Sequence, residues 1–266
     1  MRQTSIFLAI LLFSYCFLHA ENPSSQVQVE PPPVRHGAPP DNEASTEQLE
    51  RRGDELRAEK AYLDALDYYA AAIKKSPSQS LLYNKAGITE LQLQRMKEAG
   101  KDFEKAFHYD HEFADAYNNL GVVYYEQKKY TKAIKQYEKA IKLRPDSASY
   151  FSNMGAAYFA KKDIEKAVVA YRQALQLDPD VLERNSRTGV TAQLPSPEDR
   201  AQYDYVMAKL YAKGGIDDRA LQHLRRAMEE GYKDIENVYK DAEFAALRKN
   251  PRFTELMGGR PTPITQ

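Results

Sequence analysis

Few side chains in this sequence are spaced to do chemistry. His108 and His111 flank Asp110, and their i, i+3 spacing can bring two imidazoles to one side of a turn with a carboxylate close by. Zinc binds such groups, but a zinc site needs a third ligand and defined geometry. Nothing else in the sequence points there, so these residues read as solvated and no metal or cofactor is expected. Cys16 is the one cysteine and lies in an apolar N-terminal run, which removes thiol catalysis and disulfides from the mature chain. There is no P-loop, no Gly-x-Ser-x-Gly, no glycine-rich dinucleotide turn and no His-Glu-x-x-His. Most Asp and Glu residues sit beside Lys and Arg, as on solvated helix faces, and no catalytic carboxylate pair stands out. These absences predict that the chain is not an enzyme.

The residues that do recur follow a period of 34. Starts at Thr46, Ser80, Ala114 and Ala148 define four blocks, 46–79, 80–113, 114–147 and 148–181. Their eighth position holds Gly53, Gly87, Gly121 and Gly155; their twentieth holds Ala65, Ala99, Ala133 and Ala167. The twenty-seventh holds Ala72, Ala106, Ala140 and Ala174, and an aromatic recurs as Tyr69, Phe103, Tyr137 and Tyr171. Small residues permit close helix contact, large ones fill the space between, and Pro145 and Pro179 end a second helix. A unit of this kind buries its apolar face only by stacking on copies of itself.

In its period and residue order the sequence resembles the tetratricopeptide-repeat family. The resemblance implies an all-α fold, a right-handed α-solenoid of stacked helix-turn-helix hairpins. Leu56 and Glu90 depart from the tyrosine usual in the family at that position, and His111 from its proline. A fifth repeat, 201–234, follows through Ala208, Tyr211, Ala220, Leu224 and Ala227, with Gly214-Gly215 at its turn and Gly231 at its end. Two short helices within 235–258, carrying Phe244, Leu247, Phe253, Leu256 and Met257, are predicted to cap the last hairpin. Residues 259–266 read as a tail.

Outside the repeats the composition shifts. Arg2 precedes an apolar run from Ile6 to Leu18, and Ala20 offers a small residue before Glu21. This predicts a secretory signal peptide over 1–20 and a periplasmic or extracellular protein, the alternative being membrane anchoring by an uncleaved signal. Residues 21–45 are rich in proline and predict an extended linker. Residues 182–200 break the register as an inserted loop, and Ser196, Pro197 and Asp199 resemble a helix start.

The expected function is a protein–protein interaction scaffold. The family resemblance implies that first helices line a concave groove through positions 2, 5, 9 and 12. Its candidate partner-binding residues are Asn84, Ile88, Leu91, Asn118, Val122, Tyr125, Ser152, Ala156 and Phe159. Ile88, Leu91, Val122, Tyr125 and Phe159 are expected to form an open apolar strip, with Glu47, Glu50 and Asp54 making the N-terminal end acidic. A chaperone-tail clamp would need Lys and Arg where this chain has Asn84, Ile88, Asn119, Ser149 and Asn153, so that ligand is not expected. The partner is therefore a peptide or protein of another kind. A net charge of zero gives no basic excess for nucleic acid. Two alternatives stay open: an accessory subunit or enzyme with its site in the 182–200 loop, and a homo-oligomer joined through the groove.

Overall fold

A computed structural model describes residues 37–182 and 197–261. The signal segment 1–20, the linker as far as residue 36, residues 183–196 of the insertion and the last five residues of the tail lie outside the described residues. Eight helices follow the four blocks in pairs: α1 Thr46–Ala58 with α2 Tyr62–Lys75, α3 Ser80–Gln92 with α4 Met96–Tyr109, α5 Ala114–Glu126 with α6 Tyr130–Leu143, and α7 Ala148–Ala160 with α8 Ile164–Leu177. The first helix of every block starts where the period demands. A fifth hairpin pairs α9 Pro197–Lys213 with α10 Asp217–Glu229, and α11 Pro251–Gly258 closes the chain. The described residues contain no strand.

Each first helix stops in the same way. Lys60, Gln94, Lys128 and Lys162 take the left-handed conformation, with φ between 58° and 64°. The amide of the next residue turns back onto the last helical turn, as Lys129 N does to the Tyr124 carbonyl at 2.8 Å. This reversal satisfies carbonyls that the helix end would otherwise leave open. The fifth hairpin makes the same turn at Gly215, φ 71°. Only there does the sequence supply the residue the conformation favours.

The glycine–aromatic period has a steric cause. A Cβ built on Gly121 would lie 2.5 Å from Tyr137 Cε1, and one on Gly155 2.8 Å from Tyr171 Cδ1. Gly53 and Gly87 meet Tyr69 and Phe103 equally closely. Each ring fills the space that the missing methyl leaves, and all four rings are buried. In the fifth hairpin Ala208 and Leu224 take these places: the Cβ returns and the ring goes.

First helices of successive blocks touch one another, α3 with α5 and α5 with α7, more than second helices do. The first helices therefore form the inner, tighter side of the solenoid and the second helices its outer side. The stack changes character after α8. Whereas α2–α3, α4–α5 and α6–α7 pack broadly, α8 meets α9 over a much smaller area. Tyr203 of α9 bridges the joint, edge-on to Phe159 at 5.6 Å and to Tyr171 at 5.9 Å. Ion pairs Lys162–Asp199 and Arg219–Asp180 flank it.

The predicted cap is present as one helix and three 3-10 turns rather than two helices. Val238, Phe244, Leu247, Phe253, Leu256 and Met257 are buried. Tyr205 stacks on Tyr232 at 4.3 Å and bonds Asp241 through its hydroxyl. At the other end, residues 37–45 do not stand away from the repeats as the linker reading expected. Gly37 N donates to Asp64 at 2.9 Å, Tyr68 to the Ala38 carbonyl and Lys75 to that of Asn42, so this stretch runs back along α2. Ser45 and Gln48 then form a capping box that starts α1. Among the described residues no helix is long and apolar enough to cross a membrane.

Candidate functional site

The inner face is built by α1, α3, α5 and α7, and its seams are polar. In each seam the sixth residue of one block donates to the fifth residue of the block before. Lys85 reaches Glu50 at 2.5 Å, Asn119 reaches Asn84 at 2.9 Å and Asn153 reaches Asn118 at 2.9 Å. Asn118 also donates to Asn119 at 3.1 Å, joining two rungs into a ladder of four amides. All four asparagines are buried. A buried amide left unbonded would cost about 1–3 kcal/mol, so the rungs fix how neighbouring first helices align. Above them, Tyr150 donates to Asp115, which also receives Arg144 at 2.9 Å. Between the fourth and fifth blocks the pattern ends, because Val206 stands where Asn153 would recur.

The acidic end of the groove is largely self-neutralised. Lys85 pairs with both Glu50 and Asp54 at 2.5 Å, and Tyr69 donates to Asp54 at 2.7 Å. Burial, then that carboxylate, pushes the Tyr69 hydroxyl pKa upward. Glu50 and Asp54 therefore do not present the bare negative surface that the residues alone suggested, whereas Glu47 stays exposed.

The expected open apolar strip is closed over most of its length. Val122, Tyr125 and Phe159 are 1%, 7% and 1% exposed. Tyr125 leans on Tyr130 at 5.5 Å, and Phe159 packs on Tyr203. The cause is the close approach of consecutive first helices, which draws ninth and twelfth positions into the seams. Tyr125 is thus part of the core and not an exposed anchor. Asn118 and Ala156 are buried as well, and Asn84 is 6% exposed. Of the nine candidate residues only Ile88, Leu91 and Ser152 keep substantial solvent contact. Lys85 and Ser149, which lie on the same wall, are also half-open.

His108 and His111 are exposed, with ring centroids 6.5 Å apart, and His108 lies edge-on to Tyr109. No group of three or more His, Cys, Asp or Glu among the described residues is placed to hold a metal ion. A second polar pair, which the sequence reading missed, is buried in the fifth hairpin: His223 Nδ1 and Asp204 Oδ1 lie 2.6 Å apart, with the imidazole stacked on Tyr211. No motif announces it, because the two residues come from different helices.

Tetratricopeptide-repeat profiles match residues 51–108, 123–162 and 148–181. No curated protein matches the chain in sequence. Among solved structures, residues 41-end of MamA from Desulfovibrio magneticus RS-1 are 17% identical with a TM-score of 0.51, over 77% of this chain and all of that one. A crystal structure of the MamA protein is 20% identical with a TM-score of 0.50, over 74% and 95%. YrrB, described as a TPR protein with an unusual peptide-binding site, is 18% identical with a TM-score of 0.47, over 74% and 91%. At these identities the likeness is one of fold.

Proposed function

This chain is a tetratricopeptide-repeat protein, and from that premise we propose that it is a non-enzymatic scaffold holding a segment of a partner protein along its inner face. The observation that carries the reading is the aligned inner wall. Three first helices are locked in register by the asparagine ladder, and Ile88, Leu91, Ser149 and Ser152 stay accessible along it. A fixed row of apolar and hydroxyl groups suits an extended or helical peptide, since little ordering cost falls on the protein side. Val122, Tyr125 and Phe159 act beneath that surface and hold its shape.

The test uses the full mature chain as bait against extracts of its host. Leu91→Asp and Ser152→Arg should each lose the captured partner, while Tyr239→Ser in the cap should keep it. Equal capture by all three would place binding away from the inner face. The apolar run before Glu21 supports the further reading that the scaffold works in a cell-envelope or secreted complex. N-terminal sequencing from the host should begin at or near Glu21, and a chain starting at Met1 in the cytosol would exclude export.

A further inference from the structure

The outer face of α6 carries lysines along one stripe. Lys132, Lys135, Lys139 and Lys142 are spaced i, i+3, i+7 and i+10, which keeps them on one side of the helix. Lys128 extends the stripe at the preceding turn. All five are exposed. The stripe is held but not neutralised. Lys132 lies over the Tyr124 ring at 5.7 Å and Lys139 over Tyr117 at 5.4 Å. None of the five is in an ion pair with a described residue, whereas Arg144, just beyond the helix, is paired with Asp115. Glu138, the one acidic residue of α6, makes no ion pair with them.

Packing does not ask for lysine at these places. The four equivalent positions are Asp64, Asp67, Ala71 and Lys74 on α2, and Glu98, Lys101, Lys105 and His108 on α4. On α8 they are Lys166, Val169, Gln173 and Gln176, and on α10 Arg219, Gln222, Arg226 and Glu229. Only α6 is uniformly basic, in a chain whose net charge is zero. Like charges at i, i+3 and i, i+4 repel one another, so the fold carries this stripe at a cost.

We propose that the α6 stripe docks an acidic peptide segment of a partner protein, lying parallel to the helix. The stripe is one helix wide. The neighbouring outer helices are mixed in sign, with Glu98 and Glu104 among Lys97, Lys101 and Lys105 on α4 and Glu165 beside Lys166 on α8. Only α6 offers an uninterrupted basic row, which fits a narrow acidic strand or helix better than a broad negative plane such as a bilayer. Lysine suits this use, because its ammonium has three rotatable donors and accepts carboxylates in more than one register. From Lys132 to Lys142 the helix rises about 15 Å, so a Glu-rich helical peptide of about ten residues spans it. The site is separate from the inner face and stands whether or not a ligand binds there.

The probe is a fluorescent Glu-rich peptide of that length, titrated with the full mature chain by anisotropy at several salt concentrations. Binding should weaken steeply with salt. Lys135→Glu with Lys142→Glu should lose at least about tenfold in affinity, while Arg226→Glu on α10 stays near wild type. All substituted residues are exposed, and an unchanged melting curve checks the fold. No binding at low salt, or equal binding by the double variant, overturns the proposal. So does retention on phosphatidylserine vesicles or duplex DNA that excess peptide fails to displace.

Discussion

In the third, fourth and fifth repeats a tyrosine at the eleventh position lies under a cation from the nineteenth. Lys132 stands over Tyr124 at 5.7 Å, Lys166 over Tyr158 at 5.6 Å and Arg219 over Tyr211 at 5.6 Å. In the first two repeats the same places hold Leu56 with Asp64 and Glu90 with Glu98. There the cation gives way to a carboxylate in both, and the ring to Leu56 in the first and to a second carboxylate, Glu90, in the second. Burial pushes the Glu90 carboxyl pKa up; Arg95 opposes this and Glu98 adds to it. Asp102 rises from 3.8 to about 6, first through burial and then, against Lys105, through Glu90 and Glu98. A cleft of about 450 Å³ opens beside them, lined by Leu63, Leu66, Ile73, Tyr83 and Lys105 among others. The apolar core differs in step. It runs unbroken from Val122 and Tyr137 to Met257, but divides into small separate clusters around Leu49, Leu56 and Tyr83. One backbone plan is thus held by aromatic continuity in its C-terminal part and by small apolar clusters and ion pairs in its first two repeats, with the asparagine ladder running from the second repeat into the fourth. The N-terminal part should open more readily.

The largest effect expected is on the continuous core. Phe244→Ala removes a fully buried ring and should cost about 3–5 kcal/mol. Hydrogen exchange should show α9 and α10 losing protection while α1 to α4 keep theirs; uniform loss would mean that the two parts unfold together. Next is Gly121→Leu, which drives a side chain into Tyr137 and should cost about 3 kcal/mol, against little change for Lys128→Leu. In the fifth hairpin, Leu224→Tyr should cost about 1–3 kcal/mol by meeting the Ala208 methyl. Adding Ala208→Gly should recover most of that loss, and failure of the rescue would separate the glycine from the ring.

The acid cluster gives a smaller, pH-dependent effect. Asp102 has a folded pKa of about 6 against an ordinary 3.8, so the fold favours its neutral form. Its contribution is fully present below about pH 4 and is lost as pH rises through 6. Asp102→Asn should therefore stabilise the first two repeats at pH 7.5 by about 1–2 kcal/mol, less than the full shift because the group keeps solvent contact. The gain should vanish near pH 4, as thermal melts of variant and wild type would show; a gain that does not change with pH would assign it to something other than this carboxyl. Smallest of all, Lys128→Gly should stabilise by a few tenths of a kcal/mol, through relief of a φ of 58° offset by added freedom in the unfolded chain.

The hairpins were legible from the residues because each glycine answers an aromatic within its own repeat, and such local steric pairs survive in a one-dimensional pattern. The fifth hairpin lacks that pair and was legible instead from Ala208, Tyr211, Ala220, Leu224 and Ala227 at matching positions and from Gly214-Gly215 at its turn. The openness of the inner wall was not. Whether Val122, Tyr125 and Phe159 reach solvent depends on how closely neighbouring first helices approach, which is set between repeats. The asparagine ladder is intermediate: Asn84, Asn118, Asn119 and Asn153 stand out in the sequence, but their bonds link positions 35 apart, one off the period. The order of residues 37–45 was hidden by their composition, because backbone bonds to Asp64, Tyr68 and Lys75 leave no apolar signal.

The central claim is that a partner lies along the inner face, and photo-cross-linking in the host tests it most directly. A photoreactive residue is placed at Leu91, at Ser152 and, as a control, at Tyr239 of the cap, and adducts are sequenced by mass spectrometry. The account predicts that Leu91 and Ser152 capture the same segment of the same protein and that Tyr239 captures none of it. Adducts from Tyr239 alone, or unrelated segments from Leu91 and Ser152, would contradict it.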